Sequence, residues 1–299
     1  MSLEAVLEAV PELNGAVDVE PLTGGLTNTN YKVTTPSGAF VVRISGKDTG
    51  LLAIDRANEV HNTRCASECG VGARFVAALP EHDALVLEFI DGQVMTAEEL
   101  RRGDRLGLVA AACRRLHTAR RFLTDFDMFR IQRGYLEIVR QRGFRLPDRY
   151  EAFEPQVRAL EEAMRVRPEP TVPCNNDLLA ENLIEANGEV RLIDYEYSGN
   201  NEPSFELGNI WSESNLSLTQ LEELVTSYYG RPLRNKVARA RLWGLMSKYG
   251  WTLWASIQDG ISDLDFDFWS WGMEKYERAV AEFDGPDFER LLGEVQAAD

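Results

Sequence analysis

The feature that most constrains this chain is a change of texture near residue 91. Before it the sequence is largely β-like; after it, apolar residues recur at three- and four-residue spacing almost without interruption. The stretches VDVEPLTGG, TNYKVTT and GAFVVRIS read as three short strands, with Pro36-Ser37-Gly38 as the turn between the last two. Residues 54–70 then read as a helix that a glycine ends, and ARFVAALP and ALVLEFI read as two further strands. Ahead of these, Leu3, Val6, Leu7 and Val10 share one helical face, closed by Pro11. Beyond Asp91 and Gly92, segments 97–120, 127–142, 150–166, 217–229, 234–258 and 268–295 read as helices. One β-like island, residues 170–195, holds two short apolar strands around the turn Asn187-Gly188. The expectation is an α+β chain of two lobes joined by a short hinge at EFIDGQ. Residues 1–91 form a small five-stranded lobe with one main helix, and residues 92–299 a large, mostly helical lobe.

A chain of 299 residues is long enough to bury its core without disulfide or metal staples. Its 48 acidic side chains outnumber 32 basic ones, for a net charge of −16. That charge repels a nucleic-acid backbone and favours small cations wherever a cleft focuses it. The cysteines Cys65, Cys69, Cys113 and Cys174 form no CxxC pair, which suits a reducing compartment. The first residues, MSLEAVLEAVPEL, lack the basic region of a signal peptide. Arg239, Arg241 and Lys248 interrupt the best apolar run, so no membrane insertion is expected, and a cytoplasmic location is.

Between the first two strands runs Thr23-Gly24-Gly25-Leu26-Thr27-Asn28-Thr29-Asn30-Tyr31. Glycine beside Asn and Thr exposes successive backbone N–H groups, as a phosphate-cradling loop requires, although an ordinary hairpin uses the same residues. Arg43 lies in the strand VVRIS and Glu59 on the helix that follows. A basic residue on the third strand, held by a helix acid, is one way to grip ATP phosphates; an edge-strand Arg and a solvated Glu read alike. The decisive stretch is Cys174-Asn175-Asn176-Asp177-Leu178-Leu179-Ala180-Glu181-Asn182, followed by Leu192-Ile193-Asp194-Tyr195-Glu196-Tyr197. Phosphoryl transfer to a hydroxyl uses these groups: one carboxylate orients the hydroxyl, while an amide and a second carboxylate hold Mg²⁺. Hard oxygen ligands suit that ion.

This NNDxxxxN…LIDYEYSG pattern resembles the catalytic and metal-binding signatures of the choline/ethanolamine kinase family, relatives of aminoglycoside phosphotransferases and, more distantly, of protein kinases. The similarity extends to GGLTNTNYKV, EPSFELGN and YGWTLWASIQDGISDLDFDFWSWGMEKYERA, spanning residues from about 20 to 280. It implies a bilobal protein-kinase-like fold whose small lobe is antiparallel. By resemblance, Asp177 is the catalytic base, and Asn182 and Asp194 bind Mg²⁺. Arg43 contacts phosphates with Glu59 as its ion-pair partner, and Thr27, Asn28 and Asn30 line the phosphate loop. Backbone groups near Glu88 and Ile90 hold adenine. One departure stands out: the family's usual His two residues before the catalytic Asp is here Asn175.

Trp251 and Trp254 are three apart, so on a helix they face one side. With Tyr197 and Trp211 they are expected to wall a pocket beside Asp177. A trimethylammonium group offers no strong hydrogen-bond donor, so aromatic faces and nearby acids recognise it. The resemblance places Tyr197, Glu213, Trp251 and Trp254 in a choline pocket with Glu196 nearby; Trp269 and Trp271 read as packing. The expected reaction is transfer of the ATP γ-phosphoryl group to a small cationic alcohol, choline first. Ethanolamine, thiamine or an aminoglycoside stays open as acceptor. So does a ligand-binding module without turnover, for which Asn175 is the sole support. A homodimer is compatible with the sequence.

Overall fold

The computed structural model describes residues 3–23, 25–46, 49–102 and 104–298. After a short helix α1 (Leu3–Ala9), five strands form one sheet: β1 (Asp18–Leu22), β2 (Asn28–Thr35), β3 (Gly38–Ser45), β4 (Phe75–Leu79) and β5 (Ala84–Glu88). Their spatial order is β1-β2-β3-β5-β4, each neighbouring pair antiparallel, as expected. Val33, Phe40, Val42 and Val86 point to one face and pack with Val6, Val10 and Leu13. That buried face fixes the strand register, because a one-residue slip would turn the whole set to solvent.

Helix α2 (Arg56–Glu68) connects β3 to β4, and Asp55 caps it by accepting from the Ala57 and Asn58 N–H groups. Its buried side chains are largely polar, including Asn58, Glu59, Asn62 and Thr63. It therefore docks through hydrogen bonds: Asn58 Nδ2 donates to the Ser198 carbonyl at 2.8 Å and Asn62 Nδ2 to the Ser198 hydroxyl at 3.0 Å.

The large lobe follows in the order β6 (Gln93–Val94), α3 (Ala97–Leu100), α4 (Arg105–His117), α5 (Met128–Arg142), α6 (Glu154–Val166), β7 (Val172–Cys174), β8 (Leu183–Ala186), β9 (Glu189–Leu192) and β10 (Gly199–Asn201). It ends with α7 (Pro203–Glu213), α8 (Leu218–Tyr229), α9 (Arg234–Ile261), α10 (Phe268–Phe283) and α11 (Phe288–Val295). The hairpin β8–β9 turns at Asn187-Gly188, as expected, and pairs with β6; β7 pairs with β10. These two small sheets hold the ends of the segments that carry Asp177, Asn182 and Asp194.

Three expectations need correction. The segment 97–120 is two helices, α3 and α4, and 268–295 is also two, parted at Asp284-Gly285-Pro286-Asp287, where proline cannot continue the ladder. Residues 150–153 form a 3₁₀ turn ahead of α6. Helix α7 went unread, because Ser204 through Ser212 are all buried and leave no amphipathic stripe to detect.

Helix α9, 28 residues long, is the axis of this lobe. It meets α7 where Gly208 faces Gly244. A Cβ on Gly244 would stand 2.6 Å from the Gly208 carbonyl oxygen, and one on Gly208 would strike the Ala240 carbonyl. Only glycine permits so close a crossing. Beside it, Arg239 grips Glu202 bidentately, Nε to Oε2 and Nη2 to Oε1 at 2.6 Å each, both residues buried. Among the described residues no helix is long and apolar enough to cross a membrane.

Candidate active site

The loop 175–182 leaves β7 and is held from beneath by α7. The buried Glu206 carboxylate accepts the Asn175 N–H at 2.9 Å and the Asn176 N–H at 2.7 Å, and Asn209 Oδ1 accepts the Leu178 N–H at 2.7 Å. Asn176 adopts φ +69°, a left-handed conformation that asparagine tolerates, and Asp194 adopts φ +60°. Such strain, held by surrounding bonds, is a mark of functional loops. Asn175 ties the two loops together. Its Oδ1 accepts the Asp177 N–H at 3.1 Å, while its Nδ2 donates to the Ile193 carbonyl at 3.1 Å and the Asp194 carbonyl at 2.7 Å. Asn182 Nδ2 donates to the Asp177 carbonyl at 2.8 Å.

Asp177, Asn182 and Asp194 meet at one cavity of about 440 Å³ whose lining also includes Tyr197, Trp251 and Trp254. Tyr197 meets Trp251 edge to face, ring centroids 4.8 Å apart, and Trp254 Nε1 donates to the Tyr197 hydroxyl at 2.7 Å. Burial, then the negative charges of Glu213, Asp194 and Glu196, push the Asp177 carboxyl well above the usual carboxylate range. Burial likewise raises the Tyr197 phenol, so it stays protonated.

One substrate-pocket expectation is corrected. Trp211 does not reach this cavity; it lines a different one, with the Lys248 ammonium over its ring. The reason is helical geometry: Trp211 and Glu213 are two apart on α7 and point to opposite sides. Glu196 reaches the cavity wall, as expected, and is also engaged by the small lobe. It accepts from the Thr27 hydroxyl at 2.7 Å and from Asn28 Nδ2 at 2.9 Å, with Arg56 Nη1 at 3.4 Å. Conversely, Trp271, read as packing, lines the cavity, as does Phe266. Glu213 also lines it, ion-paired with Lys275, whose ammonium lies 4.0 Å from the Trp271 ring centroid. Glu213 Oε1 and Trp251 Nε1 are buried without a hydrogen-bond partner among the described residues.

On the small-lobe side, Arg43 is buried and ion-paired with Glu59 and, at 2.7 Å, with Asp194. Asn30 is its cross-strand neighbour on the same sheet face. Arg56, which sequence reasoning passed over, bonds Glu59 Oε2 at 2.7 Å and Asn28 Oδ1 at 3.0 Å. In the loop ahead of β2, a Cβ on Gly25 would stand 2.6 Å from the Asn28 carbonyl oxygen, so the loop folds back on itself only with glycine there. At the hinge, the Glu88 N–H donates to the Arg74 carbonyl at 2.9 Å, so Glu88 can offer a ligand its carbonyl but not its amide.

The donor set fits a hard divalent cation. Asn182 has committed its amide nitrogen, leaving its oxygen free, and Asp194 gives Oδ1 to Arg43, leaving Oδ2. Among the described residues no histidine or cysteine lines the cavity, and oxygen ligands of this kind suit Mg²⁺.

Comparison with known proteins agrees with this geometry. Residues 19–228 match the sequence model of the choline/ethanolamine kinase family. Ethanolamine kinase 2 of Homo sapiens is 26% identical over 293 residues, covering 88% of this chain and 75% of that protein. Among solved structures, a choline/ethanolamine kinase family protein from Mesorhizobium loti superposes with a TM-score of 0.86 at 30% identity, covering 98% of this chain and 97% of that one. The choline kinase LicA from Streptococcus pneumoniae shares the fold, with a TM-score of 0.80 at 24% identity, over 94% of this chain and 98% of its own.

Proposed function

This chain belongs to the choline/ethanolamine kinase family, and from that premise we propose that it transfers the γ-phosphoryl group of ATP to the hydroxyl of choline. The observation that carries the choice of acceptor is the aromatic wall of Tyr197, Trp251, Trp254 and Trp271 in the same cavity as Asp177. A quaternary ammonium gains up to about 2 kcal/mol from each desolvated aromatic face and needs no hydrogen-bond acceptor. The wall is rigid in advance, since Trp254 is fixed by its bond to Tyr197 and by edge contacts with Phe268 and Trp271. Little ordering is then lost when the headgroup enters.

In this reading Asp177 orients the acceptor hydroxyl and takes its proton. Burial and then like charge raise its carboxyl, and a bound cation offsets the like-charge part. Asn182 and Asp194 hold Mg²⁺, which when bound neutralises charge on the phosphates. Arg43, aligned by Glu59, contacts those phosphates from the small lobe, residues 1–91, which closes over the nucleotide against residues 92–299. Thr27, Asn28 and Asn30 shape the loop above them, with Glu196 and Arg56 locking that loop down. The Glu88 carbonyl and Ile90 backbone receive adenine. Positioning and electrostatics supply the acceleration, because phosphoryl transfer asks little covalent work of the protein. Four unpaired cysteines and a need for ATP suit a cytoplasmic setting.

Ethanolamine is the second reading, favoured by the unpartnered Glu213 Oε1, which can accept from a primary ammonium. Steady-state kinetics on both acceptors separates the two. Trp254→Leu is expected to raise KM for choline roughly tenfold, the loss of about 1.4 kcal/mol, with KM for ATP unchanged. A wild-type kcat/KM higher for ethanolamine, or equal rises in both KM values, would reject the choline assignment.

A further inference from the structure

A second cavity, of about 390 Å³, opens between α7, α9 and the turn joining α10 to α11. It shares no lining residue with the cavity around Asp177. Three cations line it, Arg241, Lys248 and Arg278, against two carboxylates, Glu282 and Asp287, on a chain whose net charge is −16. Arg241 already has its counter-ions, with Glu282 and Asp287 each at 2.9 Å. Arg278 gives one Nη2 bond to the Ser212 carbonyl at 2.8 Å.

Lys248 is different. It is 2% exposed, and among the described residues its ammonium has no hydrogen bond or ion pair; its contact is the Trp211 ring, 4.3 Å to the centroid. Trp211 Nε1, also buried, has no partner either. A buried ammonium with no hydrogen bond or ion pair costs free energy, and Lys248 lines this cavity beside Arg278. An oxyanion in the cavity would give that ammonium the acceptors it lacks.

We propose that this cavity is a binding site for a compact phosphate-bearing anion, whose oxygens accept from Lys248 Nζ and Arg278. The volume exceeds what a bare oxyanion needs, leaving room for a small organic body on the phosphate. The charged groups around Lys248 are Glu213 on α7, Arg241 on its own helix, Arg278 and Glu282 on α10, and Asp287 just beyond. Burial outweighs the nearby acids and brings the Lys248 amine down to about 7. The cation that an anion requires is therefore present below pH 7 and is lost above it, so binding takes up a proton at higher pH.

The test is calorimetric titration of the full chain with sodium sulfate, which does not titrate between pH 6 and 9, and with glycerol 3-phosphate. Wild type is expected to bind sulfate saturably at pH 6.5, with affinity falling by up to about tenfold per pH unit above 7. Lys248→Met, which keeps an unbranched stem, and Arg278→Gln are each expected to weaken sulfate at least tenfold. Lys248→Arg is expected to bind with no such pH dependence. Glycerol 3-phosphate tighter than sulfate would assign the site to phosphate esters; equal affinities would assign it to the free oxyanion. Sulfate bound at the nucleotide cleft would survive Lys248→Met. Undiminished affinity in both Lys248→Met and Arg278→Gln, with each variant unfolding cooperatively, would overturn the proposal. So would the absence of a saturable sulfate signal in wild type.

Discussion

Asn175 carries more of the site than its place in the sequence suggested. Replacing the family's usual histidine was the one ground for doubting turnover, yet its three side-chain bonds join Asp177 to the carbonyls of Ile193 and Asp194. An amide can do this because it donates and accepts at once, as a neutral imidazole does. Asn175→Ala is expected to lower kcat roughly tenfold to a hundredfold, the usual effect of losing a group that aligns metal ligands, while Asn175→His restores much of it. If kcat in Asn175→Ala stays at the wild-type value, the bracing role is wrong. What was legible at this scale was linear: Asp177, Asn182 and Asp194 by spacing, Trp251 and Trp254 by helical phase. Glu206 and Lys275 were not, because their partners lie far along the chain; Lys275 and Glu213 are 62 residues apart. The small-lobe partners of Glu196 were illegible for the same reason, since no local pattern reports that a loop 168 residues earlier uses its carboxylate.

Among the elements, α7 does the most positioning: Glu206 and Asn209 fix the loop that carries Asp177, Glu213 reaches the cavity around Asp177, and Gly208 sets the distance to α9. Sequence patterning missed it because it is buried on every side. Patterning also ran α3 into α4 and α10 into α11, although Gly285-Pro286 marks the second break. The joint between α7 and α9 is locked by the buried pair of Glu202 and Arg239, with Trp243 Nε1 donating to Glu202 at 2.7 Å. Glu202→Gln leaves the guanidinium without its bidentate counter-ion and is expected to cost about 3 kcal/mol in urea unfolding. A change below about 1 kcal/mol would mean that Glu169, whose Oε2 lies 3.9 Å from Arg239 Nε, already suffices.

Taken as a whole, the molecule brings two lobes together over a shared set of charges. Arg43 crosses to Asp194, Thr27 and Asn28 cross to Glu196, and α2 reaches the Ser198 carbonyl. The strand-then-helix texture showed that there would be two lobes; which residues face across the gap depends on strand order and lobe docking, which periodicity does not encode. The surplus of 16 negative charges favours a cationic acceptor at long range. Raising ionic strength from 20 to 500 mM is accordingly expected to lower kcat/KM for choline by about threefold or more, through KM, as screening shortens the reach of that field. An unchanged value would confine recognition to the cavity itself.

The central claim is that Asp177 drives phosphoryl transfer from ATP to choline. Its most direct test is ³¹P NMR of a reaction containing ATP, Mg²⁺ and choline, run with wild type and with Asp177→Ala. Wild type is expected to yield a phosphomonoester signal matching phosphocholine together with ADP. Asp177→Ala should lose at least about a hundredfold in rate while still binding nucleotide. Phosphocholine formed by Asp177→Ala at the wild-type rate, or none formed by a nucleotide-bound wild type, would contradict the account.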